Sequence, residues 1–250
     1  MPAATVRTSE IARFDALAAR WWDPDGPMRP LHRMNPARIA WIAAQIAAAF
    51  PGQSGLAVLD VGCGAGLAAE ALAARGFDVL GIDAAPAPIA AAQEHARERQ
   101  AGQAGTSRPA MHLAYRVAAP EDLMAEGRRF PVVTALEVIE HAEDPAAFVG
   151  ILARLLAPGG LLVLSTLNRT AASFAAAKIG AEYLLRWLPV GTHDWRRFVT
   201  PVELAAIVRA AGLRVSDVTG LAPAPLARTP GGGWRTGAGT GVNYLLAARG

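Results

Sequence analysis

The chain has a single cysteine, Cys63, among its 250 residues. No intramolecular disulfide is possible, which fits a reducing compartment. It has one lysine, Lys178, so the basic side chains are almost all arginine; 24 basic against 21 acidic residues leave a net charge of only +3. Aromatics make up 6%, and no basic stripe interleaved with stacking rings appears, so nucleic acid is not an expected partner. No apolar run reaches the ~20 residues a membrane-crossing helix needs. The opening "MPAATVRTSEIARF" has no continuous apolar core, and no secretory leader is expected. What is abundant is apolar surface. At 52% hydrophobic and 18% charged, the chain can bury a large core and is not expected to be disordered.

Residues 10–22 and 36–50 read as helices and carry Trp21, Trp22 and Trp41. Between them "DPDGPMRPLHRMNP", with four prolines, reads as irregular. Beyond residue 50 short apolar runs alternate with helical stretches. Strands are expected at 57–61, 77–82, 112–117, 132–137 and 161–166, with helices at about 66–75, 86–100 and 145–157. That alternation argues for α/β architecture with a doubly wound, mostly parallel sheet. The runs 213–221 and 242–248 have no helix between them and read as an antiparallel pair. The segments 101–109 and 230–241 read as loops. We expect an N-terminal helical cap over 1–50 and a second unit over 51–250, with a helical insert at about 168–198.

Between the first strand and its helix, "VLDVGCGAGLAAEAL" places Gly62, Gly64 and Gly66. Glycine lets the backbone turn sharply and approach a ligand, and the following helix points free N–H groups at the same spot. Asp83 ends the second strand, 21 residues after Gly62. An acid there can accept hydrogen bonds from both ribose hydroxyls of an adenosine. A dinucleotide fingerprint needs its third glycine one residue later, where Leu67 stands. Asp60, just before the loop, suits an amino acid's ammonium group better than a pyrophosphate. The pattern therefore favours S-adenosylmethionine over NAD. Cys63 lies in the loop with no adjacent base in sequence and reads as a small packed side chain.

In "ALEVIEH", Glu137, Glu140 and His141 crowd the end of a buried strand. Charges are costly to desolvate unless paired, hydrogen-bonded or metal-bound. Read as a helical turn, positions i, i+3 and i+4 converge. Three roles stay open: a shared divalent cation such as Mg²⁺, His141 as a base, or backbone support.

These residues resemble class I S-adenosylmethionine-dependent methyltransferases. The stretches "FDALAARWWDPDGPMRPLHRMNPARIAWI" (14–42), "EVIEH", "STLNRT" (165–170), "GAEYLLRWLPVGTHDWRRFVTPVEL" (180–204) and "GVNYLL" narrow the likeness to the ubiquinone-biosynthesis 3-O-methyltransferases. The resemblance implies a Rossmann-like sheet of seven strands with an antiparallel last strand. It implies methyl transfer from S-adenosylmethionine to a phenol oxygen of 2-polyprenyl-6-hydroxyphenol and 3-demethylubiquinol. It implies cofactor contacts at Arg38, Gly62, Asp83 and Leu136, and Mg²⁺ at Glu137, Glu140 and His141. Glu121 and Asp122 fall in the adenine-edge region, with helix capping as the alternative. His193 and Asp194 fall near the substrate mouth, and Pro131 departs from the usual opening of the fourth strand. His32 reads as an ordinary side chain, with a lid role as the alternative; His95 and His112 receive no role. Competing readings are a methyltransferase of RNA or protein, and a cofactor-binding adaptor without activity.

Residues 171–188, read as a helix, put Phe174, Ala177, Ala181, Leu184, Leu185 and Leu188 on one face. Residues 169–198 carry five basic and two acidic side chains. An apolar face with flanking arginines and tryptophans suits an anionic bilayer surface. The expected location is cytoplasmic, peripherally attached to the inner membrane. Expected partners are a polyprenyl phenol or quinol, anionic lipid and other enzymes of the ubiquinone pathway.

Overall fold

The computed structural model describes residues 14–102, 111–173, 195–224 and 233–250. Its eight strands are β1 (Ala57–Val61), β2 (Asp78–Asp83), β3 (Leu113–Val117), β4 (Phe130–Leu136), β5 (Leu156–Leu167), β6 (Arg214–Pro223), β7 (Trp234–Ala238) and β8 (Asn243–Arg249). They form one sheet in the order β3-β2-β1-β4-β5-β8-β6-β7. The pairs from β3 through β5 are parallel. Strand β8 runs antiparallel between β5 and β6, and β7 is an antiparallel edge.

Alternation along the strands explains why both faces are covered. Leu162 and Leu164 of β5 join Val133 and Ala135 of β4 in one core. Their neighbours Leu161 and Val163 join Val132 and Leu136 in the other. Successive side chains point to opposite faces, so a strand buried on both sides reads as a continuous apolar run. The first core is closed by α5 (Pro145–Leu155) and α6 (Pro201–Ala210). The second is closed by α1 (Arg29–Ala49) and α2 (Leu67–Ala73). Two further helices, α3 (Pro86–Ala101) and α4 (Pro120–Ala125), complete the crossovers.

Three differences from the expectation have local causes. The described residues form eight strands rather than seven, because β7 (WRTGA) lies inside the glycine-rich stretch read as a loop. Helix α1 begins at Arg29, within the stretch read as irregular. Pro30 sits in its first turn, where a missing N–H costs nothing, and Pro36 is carried inside the helix. Burial of Met34, Ile39, Ile42 and Ile46 outweighs the proline penalty. Helix α6 was not expected. Thr200 accepts a bond from the Glu203 N–H at 3.3 Å, and the Glu203 carboxylate accepts from the Thr200 N–H at 2.9 Å. That capping box is a recognisable start signal. At Pro131 the register between β4 and β5 shifts, as expected where a ladder N–H is missing. The expected helix at 10–22 is described only from residue 14, helical over 14–17 and continuing as a 3-10 turn over Ala18–Arg20. The helix at 171–188 lies almost wholly outside them, as do His193 and Asp194.

Candidate active site

Strands β1, β2 and β4 carry their carboxyl ends to one edge of the sheet, the position where open α/β sheets hold ligands. Gly62 and Cys63 donate backbone bonds to the Ile82 carbonyl at 2.8 and 3.0 Å. This ties the glycine loop to β2. Gly64 has φ +54, a conformation that L side chains rarely adopt. Asp83 reaches back into the loop. Its Oδ2 accepts from the Gly64 N–H at 2.9 Å and its Oδ1 from the Ala85 N–H at 2.8 Å. Burial raises its pKa, and these two bonds oppose the shift. Cys63 is buried and its thiol is pushed up by burial, which fits packing and not nucleophilic chemistry.

Beneath the loop lies a buried charge cluster. Asp60 accepts from Thr134 Oγ1 at 2.6 Å, while its other oxygen has no partner. Burial pushes its pKa up to about 6. Arg38 of α1 is also buried. It donates to Asn35 Oδ1 at 3.0 Å, and its Nε has no partner. Burial lowers the Arg38 pKa, and the charges of Glu137 and Asp60 resist that. A buried carboxylate oxygen and a buried guanidinium nitrogen, both unpartnered, leave one acceptor and one donor unsatisfied. They match the ammonium and carboxylate of a bound methionine group, so the residues present fit S-adenosylmethionine. Leu136 is buried at the end of β4. Glu121 is buried in α4. Asp122 caps α4 instead, accepting from the Ala119 N–H at 2.9 Å.

The acids of "EVIEH" are brought to this edge, but not as a metal cage. Among the described residues no group of three His, Cys, Asp or Glu side chains could hold a metal ion. Glu137, Glu140 and His141, the side chains expected to share Mg²⁺, do not form such a group here. The convergence rule presupposes one helical turn, whereas Glu137 has φ +58 and only Ile139–His141 form a 3-10 turn. Glu137 turns to accept from Ser165 Oγ at 2.8 Å and Asn243 Nδ2 at 3.0 Å. Glu140 accepts from Thr166 Oγ1 at 2.8 Å. The His141 ring meets Phe14 edge to face, 5.4 Å between centroids. Left-handed backbone at a bulky residue costs on the order of 1–3 kcal/mol and tends to mark functional sites. Glu140 is 5% exposed. Burial and the neighbouring Glu137 push its pKa up to about 7, with His141 pulling the other way.

Glu140 borders a cavity of about 580 Å³ whose wall includes Ile139, Pro145, Arg169, Phe198 and Glu203. Arg169 pairs with Glu203 across it. Most of these wall residues lie on the "STLNRT" and "WRRFVTPVEL" stretches or just beyond His141. The cavity itself has no signature in the sequence, because its walls come from separate elements.

The methyltransferase domain family matches residues 32–218. A ubiquinone biosynthesis O-methyltransferase from Azorhizobium caulinodans is 45% identical, over 98% of this chain and 94% of its own length. One from Cereibacter sphaeroides is 47% identical, over 87% of each. Among solved structures, magnesium protoporphyrin IX methyltransferase from Synechocystis with bound SAH aligns with a TM-score of 0.57. It is 20% identical and covers 87% of this chain and 82% of that one. A SAM-dependent methyltransferase from Thermotoga maritima aligns with a TM-score of 0.58 at 13% identity, over 96% and 98%. These two likenesses bear on the fold. The near-full-length identity bears on more: the chain belongs to the ubiquinone biosynthesis O-methyltransferase family.

Proposed function

We propose that this enzyme methylates one oxygen of a catechol-type ring carrying a polyprenyl tail, namely 2-polyprenyl-6-hydroxyphenol and 3-demethylubiquinol. The observation that carries the reading is Glu140, a buried carboxylate with its pKa near 7 on the wall of the cavity that lies just past the end of β4. S-adenosylmethionine supplies a methyl group already activated on a sulfonium. The acceptor is what needs help, since a phenol has a pKa near ~10 and little phenolate exists at neutral pH. A base poised near the working pH is the most effective proton acceptor. Glu140 takes the phenol proton, and Thr166 Oγ1, at 2.8 Å, steadies the carboxylate. Burial, and after it Glu137, keeps the proton affinity of Glu140 high. The methionine group is oriented by Asp60 and Arg38, the ribose by Asp83.

The polyprenyl tail places the substrate in a bilayer, and no described helix is long and apolar enough to cross one. Residues 169–198, with their excess of basic side chains, are the part of the chain suited to an anionic lipid surface. A bacterium deleted for its own ubiquinone O-methyltransferase tests both parts. Expressing this chain is expected to restore ubiquinone and clear the catechol precursors. The protein is expected in the membrane fraction, released by high salt. Precursors that persist alongside folded protein would sink the reading.

A further inference from the structure

Two adjacent tryptophans bind the N-terminal segment to the glycine loop. Trp21 is 6% exposed, and its ring lies against Gly64 so closely that a Cβ there would overlap Cζ2. Its indole nitrogen is buried without a hydrogen-bond partner. Leaving such a donor unpaired is costly, and native structures rarely do so without a reason. Trp22 is fully engaged. Its Nε1 donates to the Ala65 carbonyl at 3.0 Å. Its ring stacks on His95, 3.5 Å between centroids with planes 7° apart. His95 Nδ1 bonds Glu70 Oε1 at 2.8 Å, and Arg99 reaches the other oxygen at 3.1 Å. His32 Nε2 bonds the Trp21 carbonyl at 2.8 Å. Phe14 then touches both Trp21 and His141. The rings form a strap that crosses the cofactor loop and ends at the acid cluster.

We propose that Trp21 is a cofactor-binding residue: it covers the methyl donor on the glycine loop and gives its indole N–H to an acceptor oxygen of that donor. Trp22, stacked on His95, is the positioning residue that holds the strap shut. The proposal rests on the S-adenosylmethionine reading of the loop. It explains why His95 and Glu70, outside the reaction, are so fully satisfied. It also gives the small cluster of Trp21, Met28 and Ala65 a role that its size alone does not explain.

Binding of S-adenosylhomocysteine by calorimetry, with its dissociation rate by stopped flow, tests this on the full chain. Trp21→Phe keeps the ring and removes the donor, and should weaken binding about tenfold. Trp21→Ala should weaken it further. His95→Ala should speed dissociation several-fold, and His95→Phe, which also lacks the Glu70 bond but can still stack, should restore the slow rate. Wild-type affinity in Trp21→Phe and Trp21→Ala would overturn the contact. An unchanged dissociation rate in His95→Ala would overturn the latch. No binding by the wild-type chain would overturn the cofactor reading and this proposal together. Normal binding by the wild type with normal binding by the variants would overturn this proposal alone.

Discussion

Glu140→Gln is expected to lower kcat by about 10²- to 10⁴-fold, the usual contribution of a positioned base, and to raise the melting temperature at pH 8. The two effects have one cause. Burial and Glu137 hold the Glu140 pKa at about 7 in the folded chain, against an ordinary value of 4.5. A carboxyl whose folded pKa is raised favours the folded state in its protonated form. Stability is therefore lost as pH rises from 4.5 through 7, and the full penalty applies above that. Glutamine carries no charge to desolvate, and its amide oxygen can keep the Thr166 bond. The variant should melt like the parent at pH 4 and above it at pH 8. In the parent, kcat should climb as pH passes through 7. Wild-type turnover in Glu140→Gln would leave the carboxylate with a structural role only.

The second large effect is expected at Asp83. Asp83→Ala should weaken S-adenosylhomocysteine binding by at least tenfold for each charged hydrogen bond lost, at about 1.5–3 kcal/mol apiece. The loss has two parts. In its proposed role the carboxylate receives the ribose, and it also anchors the Gly64 and Ala85 N–H groups at 2.9 and 2.8 Å. Asp83→Asn keeps one acceptor oxygen and should fall between the two. Calorimetry on folded protein decides; an affinity equal to that of the parent would remove Asp83 from the site.

The strands were legible because β1, β2, β4 and β5 are buried on both faces and read as apolar blocks with glycine or charge at their ends. The glycine loop and Asp83 were legible because their spacing is fixed by a strand, a turn and a helix. The missed parts fail for physical reasons. Strand β7 is a short edge with glycine inside it, so no alternation marks it. The start of α1 hides behind prolines that core packing tolerates. Glu137, Glu140 and His141 do share a neighbourhood, yet the left-handed backbone at Glu137 breaks the helical spacing from which a shared metal was read. The contact of Trp22 with Ala65 spans 43 residues. Nothing in the tryptophan pair itself announces where that segment lands.

The most direct measurement supplies S-adenosylmethionine with a ¹³C-labelled methyl group and short-chain 3-demethylubiquinol to the purified chain, and locates the label by NMR. The account predicts one labelled methoxy group on the catechol, one S-adenosylhomocysteine per methyl transferred, and no transfer to RNA or protein offered in its place. A label on ring carbon, or none on the catechol from a chain that binds S-adenosylhomocysteine, would contradict it.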